Sequence, residues 1–80
     1  MKRYLLLTDL KRPPEMRSHL ASSMADFATV SVIPPDSVRV DFGEGIDPHD
    51  ESVRLCVIDL IMKAVADCGE PNAQMGLFTD

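Results

Sequence analysis

Residues 47–69 read DPHDESVRLCVIDLIMKAVADCG and form the strongest helix signal in the chain. Asp47 is a favourable N-cap, Pro48 fits the first helical position, and Asp50 has the spacing of a capping box. Gly69 suits a helix C-cap. The sequence therefore predicts a helix that begins at Pro48 and ends one residue before Gly69.

The apolar surface of this predicted helix is wider than a sheet can cover. Its polar side is one narrow stripe, which consists of Ser52, Cys56, Asp59, Lys63 and Asp67. The other positions are nearly all apolar and sweep roughly 220° of the helix, whereas a helix on a sheet needs a stripe of about 100°. The surplus carries Leu55, Ile58 and Met62, and leaving each of them in water would forfeit roughly 1.5–3 kcal/mol. Either the neighbouring helix covers this flank or a second chain does, and we favour a homodimer or an obligate partner.

Two strands precede this helix and form a predicted hairpin. Residues 29–33 (TVSVI) and 37–42 (SVRVDF) alternate with the period of a half-buried strand. Residues 34–36 between them read PPD, a combination typical of turns. The inward-facing candidates are Val30, Val32, Val38, Val40 and Phe42.

The N-terminal strand, predicted at residues 3–8 (RYLLLT), is apolar at consecutive positions, which indicates burial on both faces. A layer of two helices covers only one face of a sheet. Tyr4 and Leu6 are therefore assigned to the predicted dimer interface, together with the three flank residues of the second helix.

The order of elements predicts the fold class. The first helix is predicted to begin at Pro14. Its apolar stripe consists of Met16, Leu20, Met24 and Phe27. With a short closing strand at 74–79 (QMGLFT), the order fits the ferredoxin-like α+β fold, in which two helices lie on one face of a sheet that contains antiparallel strands. We expect the first and third strands to be adjacent and parallel, which would bring the acidic loop after the third strand beside Asp9, Lys11 and Arg12.

Charge indicates the class of partner. Composition is that of one globular domain spanning residues 1–80, with 45% hydrophobic and 26% charged residues. Residues 1–20 carry five basic and two acidic side chains (+3), and the remainder carries three basic and eleven acidic ones (−8), giving −5. This balance disfavours direct nucleic-acid binding, which depends on Lys and Arg at phosphates, and favours a basic protein partner. The acidic face predicted to meet that partner consists of Asp36, Asp41, Glu44, Asp47, Asp50 and Glu51.

The chain has the features of a cytoplasmic protein that does not enter a membrane. No apolar run approaches the ~20 residues of a membrane span. Asp9 and Lys11 interrupt the apolar start before a signal-peptide core can form. Cys56 and Cys68 lie about 18 Å apart along the predicted helix, beyond the ~7 Å limit for a disulfide, so reduced thiols are expected.

The loop before the second helix is the densest polar cluster. Its potential metal ligands are Asp41, Glu44, Asp47, His49 and Glu51. Their spacing is that of neither an EF-hand nor a zinc site, and helix capping explains acidic residues at this position. A phosphate loop is rejected because no Lys follows Gly45 as a Walker motif requires. We expect no metal and no cofactor.

No catalytic constellation is recognised in the sequence. His19 falls on the polar side of the first helix and His49 in a capping turn, while Cys56 has no nearby base. No segment resembles the nucleophile elbow of a hydrolase. We expect a protein that is not an enzyme.

The sequence favours a small acidic protein-interaction module that is homodimeric and occupies the surface of a basic partner. One concrete form is a phage or mobile-element inhibitor that covers the nucleic-acid path of a defence complex, with carboxylates in place of phosphates. Two alternatives stay open. The first is a small-ligand sensor or regulatory domain, with the ligand at the dimer interface or near Asp9, Arg12 and Asp47. The second is a cofactor-free dimeric α+β barrel enzyme with His19 or His49 as base.

Overall fold

The computed structural model describes residues 3–79, which form four strands and two helices. The elements are β1 (Arg3–Thr8), α1 (Pro13–Ser23), β2 (Ala28–Ile33), β3 (Ser37–Phe42), α2 (Glu51–Cys68) and β4 (Gln74–Thr79). The strands form one sheet in the order β2-β3-β1-β4, and all three neighbouring pairs are antiparallel. This arrangement confirms the predicted α+β fold class of ferredoxin-like type, including the closing strand β4.

β1 and β3 are adjacent, as expected, but they run antiparallel, so the predicted parallel pairing is wrong. Tyr4 lies opposite Asp41. The reason is the crossover: α1 joins β1 to β2 as a parallel pair, and β3 returns from β2 through a hairpin into the space between them. The loop after β3 therefore lies at the start of β1. It is separated from Asp9, Lys11 and Arg12 by the length of β1, about 20 Å for six residues.

The core lies between the helices and one face of the sheet. Its buried apolar residues are Leu5, Leu7, Leu10, Met16, Leu20, Met24, Val30, Val38, Val40, Val57, Ile61 and Ala64. Two further inward candidates, Val32 and Phe42, are half-buried. On the opposite face of β1, Tyr4 and Leu6 are also only half-buried, so the expected burial of β1 on both faces is not reached within one chain.

Helix α1 begins at Pro13, one residue before the predicted start, and ends at Ser23. Only Met16 and Leu20 of the predicted apolar stripe are inside the helix. Met24 is the C-cap residue and is fully buried, and Phe27 follows in the turn to β2. The stripe was therefore identified correctly as apolar but assigned to too long a helix.

The N-cap of α2 is Asp50, and the predicted N-cap at Asp47 is wrong. An oxygen of the Asp50 carboxylate accepts hydrogen bonds from the backbone N–H groups of Ser52 and Val53. Asp47 instead accepts from the backbone N–H of His49, which closes a turn before the helix. Two acidic residues three positions apart both match an N-cap, and the tertiary structure selects the second.

Gly69 ends α2 in the left-handed conformation, with φ of 65°, as predicted. We expect Gly69→Ala to lower the free energy of unfolding by about 1–2 kcal/mol, the cost of placing a side chain in this conformation. The added Cβ would lie 3.5 Å from the Arg12 guanidinium, an ordinary contact, so the effect is conformational. Urea denaturation measures it. Gly69→Asn is the control, since Asn tolerates this region; an equal loss in both variants would contradict the explanation.

Glu70 is the one ionisable side chain in the buried set of the described residues, with 1% exposure. Its two carboxylate oxygens accept hydrogen bonds from the backbone N–H groups of Lys11 and Arg12, each at 2.8 Å. The Arg12 guanidinium also donates to the carbonyl oxygen of Cys68. These contacts join the β1–α1 loop to the end of α2.

Candidate interaction surfaces

Four of the exposed large apolar side chains lie along one side of α2 and on the same side of β4, whereas two others, Phe78 on the open sheet face and Ile33 at the end of β2, lie elsewhere. We name this surface the α2–β4 flank; it consists of Leu55, Ile58, Met62, Met75 and Leu77. Leu55 and Met62 are 58% and 66% exposed, and Met75 and Leu77 are 47% and 36% exposed. Ile58 is half-buried and lines a small apolar groove together with Met75 and Leu77.

Helix α1 packs on the other side of α2 and does not cover this flank. The contact between the helices brings His19 of α1 to 3.6 Å from Asp67 of α2. Of the two sequence-based interpretations of the surplus apolar surface, coverage by the neighbouring helix is therefore wrong. Within one chain the flank is left in water.

Strand β4 is an edge of the sheet, because β1 is its one neighbour among the strands of residues 3–79. Its sequence, QMGLFT, contains no charged residue and no proline, two of the features that keep an edge strand from pairing with another chain, and the sequence of β2, ATVSVI, lacks both as well. The other edge strand, β2, is protected differently: the Arg17 side chain of α1 donates a hydrogen bond to the carbonyl oxygen of Val30 at 3.3 Å. The two edges of the sheet are thus not equivalent.

The open face of the sheet carries an aromatic cluster. The rings of Tyr4 and Phe78 stack with centroids 5.6 Å apart, and the Phe78 ring covers the backbone of Gly76. The Arg39 guanidinium lies 3.8 Å from the Tyr4 ring centroid and also donates to Asp41 at 2.9 Å. A cation over an aromatic face is favourable, so the Tyr4 ring already has stabilising contacts within its own chain.

The five predicted dimer residues therefore lie on two different surfaces. Tyr4 and Leu6 are on the open sheet face, whereas Leu55, Ile58 and Met62 are on the helical side. The contribution of Met75 and Leu77 to the second surface was missed. Its signal was the alternation of QMGLFT, which places these two residues on one side of β4.

The predicted acidic face is divided between the two ends of the molecule. Asp41, Glu44 and Asp47 line a groove at the end where β3 leaves the sheet, together with Asp26, which the sequence reasoning missed. Asp50 and Glu51 follow at the start of α2. Asp36 lies at the opposite end, in the β2–β3 turn, where its carbonyl oxygen accepts from Leu10 N–H.

Two carboxylates of the groove are already paired within the chain. Asp47 contacts the Arg3 guanidinium, and Asp41 is held by Arg39. No ion pair of Asp26 or Glu44 is found among residues 3–79. These two carboxylates therefore give the groove its uncompensated negative charge.

Hydrogen bonding lowers the pKa of the Asp47 carboxyl group below its ordinary value of 3.8. The largest cause is the hydrogen bond from the backbone N–H of His49, which lies 2.9 Å from the carboxylate; desolvation opposes it, and the hydrogen bond and charge of the Arg3 side chain lower the pKa further. Because the folded state binds this proton less readily than the unfolded state, the group stabilises the fold above the unfolded pKa. This contribution is lost as the pH falls through the folded pKa.

We expect Arg3→Ala to raise the pKa of Asp47 while leaving it below 3.8, because the backbone hydrogen bond remains. Carboxyl-carbon NMR titration of both proteins measures the change. A return of the Asp47 pKa fully to its ordinary value would show that Arg3, and not the turn, is the main cause.

The candidate metal ligands are not brought together, whereas His19 lies beside Asp67 and lines a shallow pocket with Cys68. Among the described residues, no group of three or more His, Cys, Asp or Glu side chains is placed to hold a metal ion. His49 and Cys56 are exposed. Burial raises the pKa of the Cys68 thiol, which makes it a weaker nucleophile at neutral pH.

Asp9 and Arg12 lie at the end of the molecule opposite Asp47, so the ligand position expected between these three residues is not formed.

No helix among residues 3–79 is long and apolar enough to cross a membrane. Comparisons with protein-family models, curated proteins and solved structures found no match.

Proposed function

We propose that this chain is a small, non-enzymatic protein-interaction module that is homodimeric and docks a basic protein partner in a reducing cytoplasm. The observation that carries the proposal is the α2–β4 flank. A chain of 80 residues has about 4–12 kcal/mol of net stability. Exposing Leu55 and Met62 to water forgoes a substantial part of such a total, and an uncovered apolar flank on a small domain marks a protein contact.

Charge supports the choice of a basic protein as the second partner. The net charge of −5 steers association with a positively charged surface and opposes association with nucleic acid. The groove is lined by the carboxylates of Asp26 and Glu44, which are unpaired within residues 3–79, and by apolar side chains, which include Phe27 and Ile46. A basic side chain with a long aliphatic stem fits such a surface.

The proposed homodimer is tested by sedimentation velocity of the wild-type chain across the micromolar range. We expect a concentration-dependent increase in mass from one copy to two. A single monomeric species at every concentration would overturn the homodimer.

The proposed binding of a basic protein partner is tested by capture from lysate with the immobilised chain, in low and in high salt. We expect proteins with basic surfaces to be retained in low salt, released in high salt, and not retained by Asp26→Lys/Glu44→Lys. The matched control is Asp59→Lys/Asp67→Lys, which changes net charge equally at exposed positions on α2. Equal retention by both double variants would contradict a role for the groove.

A further inference from the structure

We infer that the occupant of the α2–β4 flank is a second copy of this chain, joined by antiparallel pairing of the two β4 strands into one continuous eight-stranded sheet. The inference rests on the proposed interaction function and specifies the interface through which the dimer forms. It assigns the contact to the β4 edge and excludes the open sheet face that carries Tyr4 and Leu6.

The first argument is the free edge of β4. An edge strand presents a row of unpaired N–H and C=O groups, and these are satisfied by another strand. The β2 edge has a hydrogen bond from Arg17 to Val30, whereas the described side chains and loops make no comparable contact with the outer edge of β4. Of the two edges, β4 is the one that receives no side-chain hydrogen bond from the described residues, and we assign the pairing to it.

The second argument is that the apolar residues of α2 and those of β4 are centred at the same point, so one two-fold axis can serve both. The α2 stripe of Leu55, Ile58 and Met62 is centred on Ile58, and Ile58 lines a groove with Met75 and Leu77 at the middle of β4. A single two-fold axis beside this point pairs β4 with its copy and packs the two α2 stripes antiparallel. In a register centred on Gly76, Met75 of each copy lies opposite Leu77 of the other.

The third argument is the distance between the helices. Val57 and Ile58 line one groove with Leu5 of β1 and Leu77 of β4, which places α2 over this pair of strands. In the continuous sheet, the β1–β4 pair of the second copy lies next to that of the first. The two α2 helices are then separated by two strand spacings, about 10 Å at 4.8 Å each. That is the separation at which two helices pack, typically 8–10 Å. The two α2 helices therefore meet over the new strand junction.

The two elements that carry the flank have the length that a stable dimer interface requires. An interface of standard size buries about 800 Å² on each partner, about a sixth of this chain's accessible surface of 4919 Å². Helix α2 is about 27 Å long and β4 about 20 Å, in two layers about 10 Å apart, and the apolar flank occupies about 10 Å of the helix and about 7 Å of the strand. A foreign extended peptide would pair with β4 but leave Leu55 and Met62 exposed, whereas a second copy covers both layers.

The charge distribution is compatible with the antiparallel arrangement. The carboxylate groove lies at the end of the sheet where β4 finishes, whereas Lys11 and Arg12 lie at the end where β4 begins, together with Asp9 and Asp36. Antiparallel pairing places the acidic end of one copy beside the other end of its mate. The two grooves are then kept apart on a dimer whose total charge is twice −5.

The test compares two edge-strand variants with two matched controls by sedimentation equilibrium. We expect Met75→Lys and Leu77→Lys each to weaken the dimer by about 30-fold or more, the effect of an interface hot spot. The controls are Ile33→Lys, an exposed apolar residue on the β2 edge, and Leu6→Lys on the open sheet face. Both controls should leave the dissociation constant within about 3-fold of wild type, the effect of a residue outside the interface.

Hydrogen exchange of the wild-type chain gives a measurement that does not depend on a variant folding. Alternate backbone amides of β4 should become more protected as concentration rises, while those of β2 should not change. Dissociation by Leu6→Lys but not by Leu77→Lys, with unchanged β4 exchange, would overturn the edge-strand interface and leave the homodimer standing. A wild-type chain that is always monomeric would refute both.

Discussion

Replacing Glu70 with alanine is expected to lower the free energy of unfolding by about 3 kcal/mol. Hydrogen bonds to a charged group contribute roughly 1.5–3 kcal/mol each, and the Glu70 carboxylate accepts two, from the backbone N–H groups of Lys11 and Arg12. Its removal leaves both donors partly buried without an acceptor. The gain from no longer burying a charge offsets part of this cost. For a domain with about 4–12 kcal/mol in total, the loss is large.

Urea denaturation at neutral pH measures this effect, and two variants control it. Glu70→Gln keeps the shape of the side chain but turns one acceptor into a donor that faces a backbone N–H, so we expect an intermediate loss. Glu15→Ala removes an exposed carboxylate that is 3.6 Å from Arg12 and should cost less than about 0.5 kcal/mol. A loss below about 1 kcal/mol in Glu70→Ala would contradict the structural role.

Glu70 shows what the sequence could not reveal. Between Gly69 and Pro71 it has the appearance of a residue in a surface loop. Its burial results from contact with residues nearly sixty positions away, which no local pattern encodes. The same limit applies to the direction of β3 relative to β1, which follows from the crossover and not from either strand's own residues.

The hairpin and the C-terminal end of α2 were predictable for local reasons. Strand β3 begins and ends at the predicted residues 37 and 42, because strict alternation and a PPD turn leave little freedom. The end of α2 at Gly69 was equally determined by one residue. The start of α2 was ambiguous, because Asp47 and Asp50 are both good caps and both make capping-type hydrogen bonds.

The candidate site was predicted in part. The width of the apolar surface on α2 identified Leu55 and Met62, and the structure leaves both exposed on the monomer. Counting residues around a helix requires no tertiary information, so this step was reliable. The acidic face was less predictable, since sequence proximity of Asp36 and Asp41 hides their separation along β3.

Leu55→Asp is expected to convert the proposed dimer into a folded monomer. In the single chain Leu55 is 58% exposed, so the substitution removes little core packing and should cost the monomer less than about 1 kcal/mol. In the dimer the same side chain is covered, and a buried unpaired carboxylate weakens the interface by roughly 30-fold or more. Sedimentation equilibrium, with circular dichroism to verify folding, measures the change.

Ser52→Asp is the matched control, because it adds the same charge to the exposed polar stripe of α2. It should leave the dimer intact, which would separate the effect of position from the effect of charge. Ile58→Asp should also dissociate the dimer but with a larger loss of monomer stability, since Ile58 is half-buried in the groove beside β4. If Leu55→Asp and Ser52→Asp sediment alike, the exposed flank of α2 does not hold two copies together, and its apolar width serves another contact.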